Sequence, residues 1–381
     1  MRFLHLADLH IGKVLHQHSL LPDQIVMLGR ILTIADEQQV DAVLIAGDIY
    51  QRNTPSPAAM TAFSDFLAAL SARQLPCYLI AGNHDSPERV AYLSALAARS
   101  GIYIAGAEPG TVYDYPLTDA YGDLTVHLLP YCTPLLVRQK YPEEAEQIRT
   151  YEDALRTVLQ KHPVSGGGRH VMVCHQFLTG AVTCDSEELA IGGLDNISAS
   201  LFDGYDYVAL GHLHGPQQVS RDTIRYAGSP LKYSFSEVHQ HKSATVVELR
   251  EKGDISVTAV PLQPVHDMQE LTGSLERLLQ HERTEDYVHI LLTDEEPPAD
   301  AGRQLRTVFP NLLQLTVQNS KMRADCSVDA DSKPGTPDRA GFLTLFSEFY
   351  AFQNAGAVPN DRQQAIVSGL LEQIDREVQT R

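Results

Sequence analysis

At 381 residues, 43% hydrophobic and 20% charged, the chain can bury one large core or a core with a satellite, which excludes a disordered or collagen-like polymer. No apolar run approaches the ~20 residues that span a bilayer, and the opening MRFLHLADLH lacks a secretion signal's apolar stretch, so a cytoplasmic protein is expected. The formal net charge of −18 argues against a chain that grips nucleic acid by its own positive field, and five cysteines without Cys-x-x-Cys spacing argue against a disulfide framework or a thiolate zinc site.

Runs rich in Val, Ile and Leu at 2–8, 40–48, 76–83, 124–131, 170–175 and 206–212 predict short strands. Between them, 58–70 carries Ala59, Phe63, Phe66, Leu67 and Leu70 at helical spacing, and Val90, Leu93, Leu96 and Ala97 mark another helix over 87–98. Alternating strands and helices predict an α/β core. Segments 224–235 and 242–249 have β character without intervening helices, which predicts an antiparallel edge. Two prolines in VPLQPVHD close this domain at residue 265. An α+β unit follows over 266–328: a helix at LTGSLERLLQ, a strand at DYVHILLT, a second helix, and a strand at LLQLTVQN. The polar DADSKPGTPD makes 329–339 a linker. The tail, 340–381, carries two amphipathic helices, marked by Phe342, Leu345, Phe346 and Phe349 and by Ile366, Leu370, Leu371 and Ile374. Such a helix pair either binds a partner or folds back on its own domain.

Five strand ends carry the chemistry: Asp8-x-His10, Gly47-Asp48, Gly82-Asn83-His84-Asp85, His175 and Gly211-His212-x-His214. Residues at the carboxyl ends of neighbouring strands in an α/β sheet converge on one rim. Carboxylate, imidazole and amide oxygen are ligands for Mn²⁺, Fe²⁺ or Zn²⁺, and the glycines allow tight turns. Each piece alone has an ordinary explanation as a turn or a surface polar group. Five in this order, each ending an apolar run, do not.

The series D-x-H, G-D, G-N-H-D, H and G-H-x-H resembles that of the calcineurin-like metallophosphoesterases. The stretches DAVLIAGDIY, AGNHDS, IGGLD, LGHLH and AGSPLKYSFSE resemble, within them, the nuclease subunits of bacterial SbcCD-type complexes. The likeness is dense over 1–250 and weak beyond 265. It implies a four-layer α/β/β/α fold, a β-sandwich flanked by helices, with a small α+β domain capping a DNA groove and a helical tail. It also implies two divalent metal ions, with Mn²⁺ the expected metal. Asp8, His10 and His214 would hold the first ion, Asp48 would bridge, and Asn83, His175 and His212 would hold the second. His84 would stay off the metals and act on the phosphodiester. Asp85 is expected either to steady the site or to cap a helix. Gln51 stands where relatives carry an acid that steadies the catalytic imidazole, and Arg52 and Lys232 are candidate phosphate contacts.

The implied activity is DNA hydrolysis, as a 3′→5′ exonuclease on double-stranded ends and an endonuclease on hairpins, in repair, recombination and replication. The implied partners are DNA, an SbcC-like ATPase with a coiled coil bound by the tail, and a second copy of the chain meeting helices near 58–70 and 87–98. Those helices have an alternative use, to cover the sheet. The competing functions are a stand-alone phosphodiesterase for small molecules and a non-catalytic DNA-end scaffold.

Overall fold

A computed structural model of the chain describes residues 1–187 and 196–318, and beyond these 346–347, 349–350, 358–360, 362–364 and 366–368. Met1–Asn319 forms one compact unit and Ser320–Arg381 another. The expected linker, and the tail helices apart from those short pieces, lie outside the described residues, as does Cys326.

Two six-stranded sheets make the body of the first unit. The first runs in the order Ile255–Pro261, Ser243–Leu249, Arg2–Leu6, Ala42–Ala46, Cys77–Ile80, Ile102–Ile104. Its last four strands are parallel, and Ser243–Leu249 and Ile255–Pro261 form an antiparallel edge. The expected edge holds for 242–249, whereas the strand in 224–235, Arg221–Tyr226, lies in the other sheet, parallel to Tyr207–Gly211. The second runs Gln217–Val219, Arg221–Tyr226, Tyr207–Gly211, Arg169–His175, Gly122–Leu129, Tyr113–Asp119.

Alternation along each strand divides the core into layers. Ala42, Leu44 and Ala46 point between the sheets, where they meet Val171, Val173, Tyr207 and Ala209. Val43 and Ile45 point outward, under Met27 and Ile31 of the helix Leu21–Glu37 and Phe63, Phe66 and Leu70 of the helix Pro57–Ala72. On the other side Met172 and Cys174 pack beneath Leu155 and Val158 of the helix Tyr151–Lys161. The result is the expected α/β/β/α sandwich. Burying a run such as AVLIA on both faces is what makes a strand uniformly apolar. His5 ties the two sheets, with Nδ1 2.9 Å from Tyr207 Oη and Nε2 3.1 Å from the Leu210 carbonyl.

The apolar stripe of Pro57–Ala72 covers this chain's own sheet, one of its two expected uses, and Phe63 is only 5% exposed. Two expectations need correction. The segment 87–98 is not one helix. It is two turns, Pro87–Val90 and Ser94–Ala97, separated by Leu93 at φ 62°, a left-handed conformation that ends helical hydrogen bonding. In the α+β unit the helix expected at 271–280 is shorter: its first three residues belong to the strand Met268–Gly273, and the helix starts only at Leu275, after the Ser274 cap. The unit is a parallel sheet, Met268–Gly273, Tyr287–Leu292, Leu312–Val317, under two short helices, Leu275–Leu279 and Ala301–Leu305.

This unit is docked on the body. Asp23, buried in the helix Leu21–Glu37, accepts from His266 Nδ1 (2.9 Å) and Tyr287 Oη (3.1 Å), while Lys232 pairs with Asp267 at 2.8 Å. Met268 and Tyr287 complete the body's outer core. No described helix is long and apolar enough to cross a membrane.

Candidate metal centre

The parallel strands Arg2–Leu6, Ala42–Ala46 and Cys77–Ile80 of one sheet and Arg169–His175 and Tyr207–Gly211 of the other end at the same rim. Their succeeding loops interlock: Asp8 N donates to Gly47 O (3.1 Å), His10 N to Asp48 O (2.9 Å) and His212 N to the Asp8 carboxylate Oδ1 (3.0 Å). Asp8, His10, Asp48 and His212 all have positive φ, at 51°, 43°, 50° and 107°. Non-glycine residues adopt such angles only where surrounding structure over-determines them, and they cluster at functional sites.

Two glycines make the convergence possible. A Cβ on Gly82 would lie 2.2 Å from Asp48 Oδ1, and one on Gly211 would lie 2.0 Å from the Ala46 carbonyl. Asp85 locks the same loops, its carboxylate accepting from the backbone N–H of Ile49 (3.0 Å), Tyr50 (2.9 Å) and Gly82 (3.0 Å). It steadies the site and does not cap a helix. The cap of the turn that follows is Ser86.

All seven candidate ligands meet here, six of them buried and Asn83 half-buried. Asp48 Oδ2 lies 3.5 Å from both His10 Nε2 and His175 Nε2. Asn83 Oδ1 lies 2.9 Å from His175 Nε2 and 3.1 Å from His212 Nδ1. His10 and His214 present their Nε2 atoms to each other at 3.1 Å, where only one of them can carry a hydrogen. His10 Nδ1 is buried without a hydrogen-bond partner. Asp8, His10 and His214 form one group with the spacing of ligand atoms around a cation, and Asp8, Asp48 and His175 form another. Imidazole, carboxylate and amide oxygen without thiolate suit Mn²⁺, Fe²⁺ or Zn²⁺, so the residues fit divalent metals.

The charges fit as well. Burial alone would raise the Asp48 carboxyl, but His175, His10 and His84 outweigh it and hold it well below the usual range. Burial opposes a charge on His175, yet Asp48 beside it raises the imidazole to about 9. Burial raises Asp8, and burial, then the neighbouring His175, lowers His212 to about 3. Two close acids are thus balanced by shared protons, in the place divalent cations would take.

His84 borders these groups, its ring 4.8 Å from that of His10 and its ligand atom grouped with those of His10 and Asp48. Its Nδ1 donates to the Gln51 carbonyl (3.2 Å), and its Nε2 lies 3.9 Å from Asp48 Oδ2. Residue 51 therefore steadies this imidazole with its backbone, in place of the missing acid. Arg52 is exposed beside it. Lys232 is not free for phosphate: its ammonium is held by Asp267 and by the Val238 carbonyl (2.8 Å). Cys174 is fully buried in the sheet and takes the packing role.

Support for His214 was not legible beforehand. Its Nδ1 donates to Ser186 Oγ (2.6 Å), whose own hydrogen goes to the Glu237 carboxylate (2.6 Å). This relay fixes the tautomer that leaves Nε2 bare toward the centre. Glu237, fully buried, is neutralised by Lys242. The only signal was the acid of YSFSE, with nothing to link it to Ser186.

Gly82→Ala pushes against Asp48 and should weaken Mn²⁺ binding at least about tenfold with the far-UV spectrum unchanged; equal affinity by calorimetry would contradict the packing described. Metal loading needs His175 neutral, and its raised pKa keeps it protonated below about 9. Mn²⁺ binding at pH 7–8 should therefore release about one proton or more per chain, declining above pH 9. Calorimetry in buffers of different ionisation enthalpy measures this, and buffer-independent heats would refute it.

Residues 1–216 match the calcineurin-like phosphoesterase family, and residues 264–354 match a family described as the type 5 capsule protein repressor C-terminal domain. The chain is 31% identical over 324 residues to the SbcD subunit of the nuclease SbcCD from Staphylococcus epidermidis, covering 83% of this chain and 85% of the relative. It is equally identical over 326 residues to the protein of the same name from Staphylococcus saprophyticus, covering 84% and 85%. Among solved structures, the calcineurin-like phosphoesterase YfkN of Bacillus subtilis aligns over 69% of this chain and 90% of that one, at 12% identity and a TM-score of 0.39. The chain belongs to the calcineurin-like phosphoesterases and, within them, to the family of SbcD nuclease subunits, and is a phosphodiester hydrolase.

Proposed function

We propose that this chain is the nuclease subunit of an SbcCD-like complex that hydrolyses DNA phosphodiesters with two divalent ions, Mn²⁺ being the expected metal. The reading includes 3′→5′ exonuclease action on double-stranded ends and endonuclease opening of hairpins, in DNA repair, recombination and replication. The observation that carries it is Asp48: one buried carboxylate that two groups of donors share, His10 and His84 on one side and Asp8 and His175 on the other, with the His84 Nε2 3.9 Å from it. In this reading Asp8, His10 and His214 hold one ion, Asn83, His175 and His212 the other, and Asp48 both. When bound, the ions supply positive charge to the phosphoryl oxygens and a nucleophilic water at neutral pH. His84 does the proton work. With Nδ1 donating to the Gln51 carbonyl, its protonated Nε2 can stabilise the crowded phosphorus and hand a proton to the leaving oxygen as the P–O bond breaks.

The net charge of −18 supports a division of labour in which an SbcC-like ATPase supplies most of the grip on DNA and this chain supplies the cut. The helical tail at 340–381 is the proposed attachment for that partner's coiled coil, and the domain at 266–328 the cap of the DNA groove. Self-association, if it uses the segments near 58–70 and 87–98, must use what they leave exposed: Met60 (49%), Tyr92 (73%), Leu93 (52%) and Leu96 (57%). A cytoplasmic setting is part of the same proposal.

The direct test is a labelled DNA hairpin incubated with the purified chain, with and without Mn²⁺, beside bis-nitrophenyl phosphate. Metal-dependent opening of the hairpin is expected. Turnover of the small ester alone would favour a small-molecule phosphodiesterase. His84→Ala should lose about 10²–10⁴-fold in cleavage rate and keep its Mn²⁺ affinity. Undiminished cleavage by this variant would remove His84 from the chemistry.

A further inference from the structure

A second histidine cluster lies on the outer face of the second sheet. Asp114 and His127 face each other across the antiparallel strands Tyr113–Asp119 and Gly122–Leu129. His162 caps the C-terminus of the helix Tyr151–Lys161, which packs over that face. Asp114 Oδ1 is 2.7 Å from His127 Nδ1, and Oδ2 is 2.9 Å from His162 Nε2. The ligand atoms of all three lie within 4.8 Å of one another. The nearest tie to the Asp48 centre is the strand Arg169–His175, which holds His170 of this cluster near one end and His175 of the other centre at its far end. Five residues of strand are about 16 Å, so the two clusters are separate.

We propose that Asp114, His127 and His162 form a further divalent-metal site, suited to Zn²⁺, that ties an edge strand and a helix terminus to the sheet. The donor set is two imidazoles and a carboxylate, a combination that favours zinc and leaves a fourth position to water. That position is open, because the side chains of Asp114 and His162 remain 40% and 36% exposed. The ring that anchors the set is buried, with 5% of the His127 side chain exposed. Its second nitrogen is held too: His127 Nε2 lies 3.0 Å from Nδ1 of buried His170, the arrangement that orients a ligating imidazole. The ion-pair partners of Asp114 are these imidazoles, His127 and His162. A metal between the three would meet the carboxylate and both rings at once. The site is independent of the nuclease reading, and neither depends on the other.

The test uses the full chain, stripped of metal, reloaded with Zn²⁺ and desalted, as wild type and as His162→Ala and Asp114→Asn. Both changed side chains are partly exposed, and circular dichroism verifies folding. Elemental analysis should find one zinc fewer per chain in each variant. Co²⁺ loading should give a d–d absorption in wild type that is weaker in both. Zinc should raise the melting temperature of the wild type more than that of either variant, while Mn²⁺-dependent hydrolysis stays equal in all three. Equal zinc content and an identical cobalt spectrum in the three proteins would overturn the assignment. If the wild type hydrolyses nothing yet the zinc difference appears, the nuclease reading fails and this site stands.

Discussion

A single buried carboxylate sets the terms for the whole upper rim of this molecule. Asp48 leaves the first sheet with a positive φ, accepts the His84 N–H at 2.9 Å, and faces imidazoles from both sheets. A carboxylate so placed is expensive unless charge or hydrogen bonds surround it. The two sheets must therefore bring His10 and His175 to it, and the layered core fixes how they do so. Ala46 and Val173 pack between the sheets, and the Ala46 carbonyl receives the His175 Nδ1 hydrogen at 2.7 Å. Fold and site share the same residues at this point.

The rim stores strain. Left-handed backbone at a non-glycine residue costs on the order of 1 kcal/mol or more, and four candidate ligands carry it. Asp85 answers with three backbone hydrogen bonds that bind the loop after Ala46 to the loop after Ile80. Ser186 and Glu237 do the equivalent for His214, and Gln24 holds the Leu9 and His10 carbonyls. Rigid loops of this kind fix donor atoms before any metal arrives, which is what tight and selective coordination requires.

Much of this was legible in the chain because the central strands are buried on both faces and read as unbroken apolar runs. AVLIA and VMVCH leave little choice of structure, and the polar group that ends each run is conspicuous. The edge strands were hidden for the opposite reason. YDYPLTD alternates half-buried and exposed residues around a proline and reads as loop, although it pairs along its full length with Gly122–Leu129. The break at Leu93 was invisible because apolar spacing records which face is buried, not whether φ stays negative. The partner of His84 at residue 51 was hidden because a backbone carbonyl makes the contact, and every residue type has one. The relay behind His214 joins residues 186, 214 and 237, and no local pattern encodes such a meeting.

Composition and site also answer different questions. A charge of −18 says how weakly this chain would hold a polyanion by itself; the rim says what it does to a phosphodiester once delivered. The most direct measurement of the central claim is anomalous diffraction at the manganese edge from crystals soaked in Mn²⁺. Two peaks on either side of the Asp48 carboxylate, one against His10 and His214 and one against His175 and His212, are the predicted result. An empty map around Asp48 in otherwise well-ordered protein would contradict it.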